Sequence, residues 1–237
     1  MLSADKSERY FQLVEARKTC AACAGLTNPS TFHEGKFDSA QIGPWSRWQG
    51  NLNAAVMIVG QDGGDENYFK DNAGQEKPNN RTNETLRELL ATVGLHIGPH
   101  SQESSGNSLL FFTNAMLCLK KGGMQGKVNK EWFSNCGIRF LKPTIEIVQP
   151  RVLITLGERA YHAVADSFDL QRLPLRSAVE QPHGINLPNC PTKLYPVYHC
   201  GARILNTHRK IHQQKQDWIK VERLPENQLV LRALQKP

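Results

Sequence analysis

Long apolar runs are missing from this chain. The longest, Ala54 to Val59, is six residues, against the ~18–20 that a membrane-spanning helix needs, so no helical span is expected. The first residues, Met1-Leu-Ser-Ala-Asp-Lys-Ser-Glu-Arg9, carry charge where a secretion signal has its apolar core, and a soluble cytoplasmic protein is expected. No Gly-x-x-x-x-Gly-Lys-Ser/Thr loop occurs, which argues against a P-loop nucleotide triphosphatase. Internal repeats, low-complexity tracts and convincing linkers are also lacking, which excludes a solenoid. Without a coiled-coil pattern or an obvious dimer helix, a monomer with no implied protein partner is expected. Glycine (18) and proline (13) stay near average usage, which excludes collagen-like and wholly disordered chains.

What is present is enough apolar material for a core. Of 237 residues, 39% are aliphatic, aromatic or cysteine. The expectation is one domain over 1–237, with an ordered core of about 8–222 and a C-terminal tail over 223–237. Lysine and arginine (29) exceed aspartate and glutamate (22) by seven charges, which favours a polyanionic partner such as nucleic acid. Six cysteines, Cys20, Cys23, Cys118, Cys136, Cys190 and Cys200, occur in a chain expected to stay reduced. A disulfide framework is therefore disfavoured, and metal or catalytic use gains weight. Cys20-Ala-Ala-Cys23 alone is a weak signal, and no strand precedes it to suggest a thioredoxin-type motif.

Strand and helix patterns alternate. Ala54 to Gly60 reads as a buried strand, short, β-branched and closed by glycine; Leu109 to Asn114, Arg151 to Gly157 and Leu194 to His199 read likewise. Between them, Leu86, Leu89, Leu90 and Val93 recur at helical spacing before Gly94. A second helix starts at Glu131, with Pro143 expected to kink or restart it. A third starts at Glu158, and a last one spans Asn206 to Lys220. This order predicts an α/β fold, a three-layer α/β/α sandwich around a central, mostly parallel four-stranded sheet. Right-handed crossovers place all strand C-termini on one edge, where open α/β folds bind ligands. Gln61 and Asp62, Asn114, Gly157 and His199 should therefore converge. A carboxylate, an amide and an imidazole on one edge make a hydrolytic or base-reading site.

The ordered set Cys20-Ala-Ala-Cys23, Val56-Met-Ile-Val-Gly-Gln-Asp-Gly-Gly64, Phe112-Thr-Asn-Ala-Met-Leu-Cys118, Cys136 within a helix, Pro150-Arg-Val-Leu-Ile-Thr-Leu-Gly157 and Val197-Tyr-His-Cys-Gly-Ala202 resembles the uracil-DNA glycosylase superfamily, in its iron–sulfur branch of family 4 and family 5 types. The resemblance runs from Cys20 to about Lys220. It implies a [4Fe–4S] cluster on Cys20, Cys23, Cys118 and Cys136, structural rather than redox-active, since four thiolates are what such a cluster requires. A structural zinc ion accepts the same ligands and is the alternative. It further implies hydrolysis of an N-glycosidic bond after the nucleotide is flipped out of the stack. Asp62 would stabilise positive charge on the sugar and orient water, and His199 would donate a hydrogen bond to the departing base. Asn114 would read the Watson–Crick edge, with the Gln61, Gly63 and Gly64 backbone adding carbonyl contacts.

The departures from that family bear on the substrate. Gly64 stands where family 1 has a tyrosine that blocks C5-substituted pyrimidines. The family 4 stacking segment is not recognisable before Thr85, leaving Phe69 or Tyr68 as the aromatic platform. The second motif reads His199-Cys200-Gly201-Ala202 in place of His-Pro-Ser or His-Pro-Ala. A pocket open at C5 suits uracil or a bulkier modified pyrimidine, such as those some phages carry, so that repair and anti-phage defence are both compatible. Lys120, Lys121 and Lys127, and Arg203, Arg209 and Lys210 (with Lys215, His208 and His212), form two basic clusters that would track the phosphates of double- or single-stranded DNA. Ile204 or Leu205 would wedge into the stack. Two other readings stand: a non-catalytic lesion or single-strand binder on the same fold, and an unrelated α/β hydrolase.

Overall fold

A computed structural model describes residues 2–43, 48–49, 52–77, 79–98, 110–123, 126, 128–181 and 183–223. The apolar runs form the strands β2 (Val56–Asp62), β3 (Leu110–Met116), β5 (Val152–Leu156) and β7 (Lys193–Val197), after a short β1 (Leu26–Thr27); β4 (Leu119–Lys120) and β6 (Ile185–Asn186) are brief. The main sheet has five strands in the order β3-β2-β5-β7-β6. The four expected strands pair in parallel, and β6 adds an antiparallel edge that the sequence pattern did not announce. It pairs with Lys193 and Leu194 and ends before Pro196, which has no N–H to offer a neighbour.

Strand residues alternate between two cores, as the period of two requires. Met57, Val59, Phe111, Leu153 and Leu194 enter one. Val56, Ile58, Leu110, Ile154 and Val197 enter the other. The first face is covered by α1 (Leu2–Lys18), α4 (Lys130–Cys136), α5 (Lys142–Val148) and α6 (Glu158–Ser167); α3 (Arg81–Thr92) and α9 (Ile211–Arg223) cover the second, and α2 (Glu66–Asp71) and α7 (Leu175–Val179) are short. The result is the three-layer sandwich. The helix restarts at Pro143, as expected, with the proline in the first turn of α5. A π turn, Gly137–Leu141, precedes α5 and relaxes the turn in which a proline ring would meet the carbonyl four residues back. The helix expected over Asn206 to Lys220 divides into α8 (Ala202–Thr207) and α9.

Two features escaped the sequence pattern. α1 is held less by an apolar stripe than by Arg17, whose side chain is 1% exposed. Its guanidinium lies 2.7 Å from Asp38 and donates to Ser30 Oγ and to the Ser39 and Gln41 carbonyls. At the helix end, Asn28 Nδ2 donates to the carbonyls of Arg17, Lys18 and Cys20, which satisfies the orphan acceptors of the last turn. The second feature is the antiparallel β1–β4 ribbon, with Leu26 opposite Lys120 and Thr27 opposite Leu119. It joins the segment just after Cys23 to the segment just after Cys118.

Candidate active site

The C-terminal ends of β2, β3, β5 and β7 open into one cleft of about 790 Å³. Gln61, Asp62, Gly63, Gly64, Asn114, Gly157 and His199 all line it. The parallel topology brings them together: Gly60 is in register with Asn114 on the neighbouring strand, and the Gly157 N–H donates to the Val197 carbonyl at 2.8 Å. A Cβ at Gly60 would lie 2.3 Å from Asn114 Oδ1, so the amide reaches the cleft only across a glycine. Asn114 is 6% exposed, and its side chain makes no hydrogen bond to another described residue. A buried amide facing a cleft in that condition is prepared for a ligand edge.

Asp62 is held on three sides. Lys120 Nζ and the Gly64 N–H each lie 3.0 Å from Oδ1, and Gln61 Nε2 lies 2.5 Å from Oδ2. The Gly64 contact needs a backbone φ of +104°, a conformation that a side chain at this position would strain. His199 Nδ1 accepts the Gly201 N–H at 2.9 Å. In the neutral ring the proton therefore sits on Nε2, which makes Nε2 a donor. Burial pushes the His199 pKa below the ordinary histidine value, and the charge of Asp62 acts in the opposite direction. A neutral donor and an ionised acceptor thus share the cleft.

Other expectations are redistributed. Phe69 lies in a separate apolar cluster, 1% exposed, with ring centroids 6.1 Å from Phe32 and 6.3 Å from Phe37; it does not line the cleft. Tyr68 does, and so do Phe112 and Trp48, which pack edge to face at 5.9 Å. Phe112 is two residues before Asn114 and thus on its face of β3, a relation the period of two makes legible. Lys120 is 4% exposed and paired with Asp62, so it belongs to the cleft and not to a phosphate surface. Arg209 is also diverted: it pairs bidentately with Asp217 at 2.9 and 2.6 Å and stacks 5.4 Å over the Tyr198 ring. Lys121, Arg203 and Lys210 are exposed, and Arg203 lines the cleft. Lys127 lies outside the described residues. Arg159 and Arg176, which the motif reading passed over, are exposed at the same rim, as is His208. Ile204 lines the cleft and Leu205 is not among its walls.

A second cavity, about 280 Å³, is lined by Cys20, Cys23, Cys118 and Cys136 together. Asn135 Nδ2 lies 3.6 Å from Cys23 Sγ. Burial, reinforced by Cys20 and Cys23, pushes the Cys118 thiol up to about 12, and burial followed by Cys118 raises Cys136. Thiols packed this way become thiolates only beside a compensating cation. Among the described residues no three His, Cys, Asp or Glu groups are gathered as a site for one metal ion. The four thiols instead surround a space. Cys190 and Cys200 stand apart, the first against Thr192 and the second buried with Sγ 3.5 Å from the Thr82 carbonyl.

Among the described residues no helix is long and apolar enough to cross a membrane. A family model described as the uracil DNA glycosylase superfamily matches residues 48–225. A type-5 uracil-DNA glycosylase of Pyrobaculum aerophilum is 25% identical over 214 residues, spanning 84% of this chain and 86% of the relative. With the motifs on one sheet edge and the match covering most of the chain, the protein belongs to the uracil-DNA glycosylase superfamily.

Proposed function

We propose that this chain is a monofunctional DNA glycosylase that hydrolyses the N-glycosidic bond of a flipped-out pyrimidine, uracil or a C5-substituted base, and leaves an abasic site. The observation that carries this reading is the meeting of Asp62, Asn114 and His199 in one cleft, with Asp62 held as an acceptor and His199 as a neutral donor. Extrusion of the nucleotide brings the C1′–N bond into the cleft. As that bond breaks, the sugar gains positive charge and the base gains negative charge. The Asp62 carboxylate stabilises the sugar cation and orients the water whose oxygen bonds to C1′ and whose spare proton passes to solvent. His199 Nε2–H donates to the base carbonyl, and the departing base regains a proton from solvent. Asn114 offers one donor and one acceptor to the base edge. Arg203, Lys121, Lys210, Arg159 and Arg176 supply charge for the DNA backbone, a sequence-independent contribution.

Cys20, Cys23, Cys118 and Cys136 would hold a [4Fe–4S] cluster. A cavity ringed by four thiols suits a cluster better than one zinc ion, which draws its four ligands to ~2.3 Å from a single point. The chemistry it would supply is covalent cross-linking of the chain after α1 to the segment just before β4 and to α4. Iron and acid-labile sulfide in the purified protein support this assignment, and stoichiometric zinc overturns it.

The test of function is a panel of duplexes, each with one lesion, treated with alkali after incubation. Strand breaks report base release. Asp62→Asn is expected to lower release by about 10²–10³-fold, the scale for losing a charge-stabilising group, while DNA still binds. Binding without release from any duplex supports the non-catalytic reading, and normal cleavage by Asp62→Asn removes the role given to Asp62.

A further inference from the structure

The cleft is larger than base hydrolysis requires, and one of its walls has no part in the mechanism. That wall is the first turn of α3 together with the segment before it. Asn83 is 9% exposed, lines the cleft, and makes no side-chain hydrogen bond to another described residue. Among the described residues its amide is unpaired on the protein side and open to the cleft, where a guest can pair with it. Beside it, Tyr68 Oη donates to Glu76 Oε2 at 2.9 Å. Asn80 Nδ2 donates to the same Glu76 oxygen at 2.9 Å and lies 3.2 Å from Tyr68 Oη. All three side chains line the cleft. A carboxylate on this wall, already accepting from Tyr68 and Asn80, repels a phosphate and attracts hydrogen-bond donors. It argues against a phosphate at this wall and for hydroxyl donors.

The neighbouring loop leaves the way open. Gly64, whose φ of +104° disfavours any side chain, stands between Asp62 and this wall in sequence and lines the same cleft. The volume of about 790 Å³ lies high in the ~300–1,000 Å³ range of pockets that enclose drug-sized ligands, and a pyrimidine is only a fraction of such a ligand.

We infer that Asn83, Glu76, Tyr68 and Asn80 form a subsite for a polyhydroxylated, sugar-like substituent carried at C5 of the excised pyrimidine. This rests on the glycosylase reading and specifies its substrate class. A hexose presents hydroxyls that both donate and accept. Glu76 accepts a hydrogen bond from a hydroxyl, the Asn83 amide donates one and accepts one, and the tyrosine ring offers an apolar surface to the sugar C–H groups. Sites built on such bonds reject ligands that lack them, because their buried polar groups are then left unpaired.

The test uses the full chain on duplexes carrying a single cytosine or uracil in three forms: unsubstituted, 5-hydroxymethyl, and glucosylated 5-hydroxymethyl. A fourth form carries an aminoalkyl group at C5. Free base is identified by mass spectrometry under single-turnover conditions. The glucosylated base is expected to leave at least about tenfold faster than its unsubstituted parent, and Asn83→Leu or Glu76→Gln should lower that ratio by about tenfold, the scale of one charged or buried hydrogen bond. Release of the unsubstituted base but not the glucoside overturns the subsite. So does a preference for the aminoalkyl form, or an Asn83→Leu variant that slows both substrates equally. If no duplex releases a base, the glycosylase reading itself fails. Competition binding then decides the subsite: tighter binding of the glucosylated duplex supports it, and equal binding overturns it.

Discussion

Lys120 Nζ lies 3.0 Å from Asp62 Oδ1, and the two side chains are 4% and 6% exposed. The pair is tied into the backbone as well, because the Lys120 N–H donates to the Gly64 carbonyl and the Gly64 N–H donates to Asp62. Removing one partner of a buried ion pair strands the other charge and costs roughly 3–5 kcal/mol. Lys120→Met is therefore expected to destabilise the fold on that scale and to slow base release, since Asp62 loses the group that fixes its orientation. Lys120→Met combined with Asp62→Asn should be less destabilised than the sum of the two single variants. Denaturant unfolding of the four proteins measures the coupling; additivity within about 0.5 kcal/mol would show that the pair does not interact.

His199 connects the site to pH. Its pKa is lowered by burial, so the folded protein binds this proton less readily than the unfolded chain does. Above about pH 6.5, the ordinary histidine value, the ring is neutral in both states and no protonation penalty arises. As pH falls through that value the unfolded chain takes up the proton first, and stability declines until the lower folded value is reached. Wild-type unfolding free energy should therefore drop more steeply below pH 6.5 than that of His199→Gln. Base release should stay level from pH 8 down to about 6.5, because Nε2–H persists throughout. Parallel stability curves for the two proteins would remove the assignment.

The four thiols around the second cavity give a third expectation. Cys23 and Cys118 are 95 positions apart in the sequence, and a cross-link closing a chain segment of that length stabilises by roughly 4–5 kcal/mol in a chain-entropy estimate. Cys118→Ser and Cys136→Ser should abolish bound iron and visible absorbance and lower the unfolding midpoint by a matching amount. Cys190→Ser and Cys200→Ser should keep the iron. The β1–β4 ribbon carries Lys120 two residues beyond Cys118, so iron loss should also disturb the Asp62 carboxylate. Retention of full iron by Cys136→Ser would show that Cys136 is not a ligand.

The strands and their shared edge were legible because β-branched, apolar runs separated by helical patterns admit few topologies. The convergence of Asp62, Asn114 and His199 follows from that topology alone. Burial and phase were not legible. Tyr68 and Phe69 are adjacent and both aromatic, yet a helix turns about 100° between them. Asp65, accepting from the Asn67 and Tyr68 N–H groups, caps the helix Glu66–Asp71, in which Tyr68 faces the cleft and Phe69 the apolar cluster. Lys120 and Arg209 read as surface cations because a sequence shows charge without its partner. α1 lacked a periodic apolar signal because a buried arginine anchors it.

The basic residues divide by partner, and salt dependence separates them. Arg209 has two carboxylate bonds to Asp217, whose side chain is 1% exposed, and covers the Tyr198 ring that lines the cleft. Arg203 is exposed at the cleft rim. Each phosphate contact contributes about 0.9 to the slope of log affinity against log salt for duplex DNA. Arg203→Ala should weaken binding at low salt and flatten that slope by about 0.9, with little change in the unfolding midpoint. Arg209→Ala should leave Asp217 buried without its partner, lowering the midpoint clearly while changing the slope little. Titrating both variants against one duplex at several salt concentrations, alongside thermal unfolding, tests the division. If the slope changes with Arg209 and not with Arg203, the phosphate track runs over the α8–α9 junction instead of the rim of the cleft.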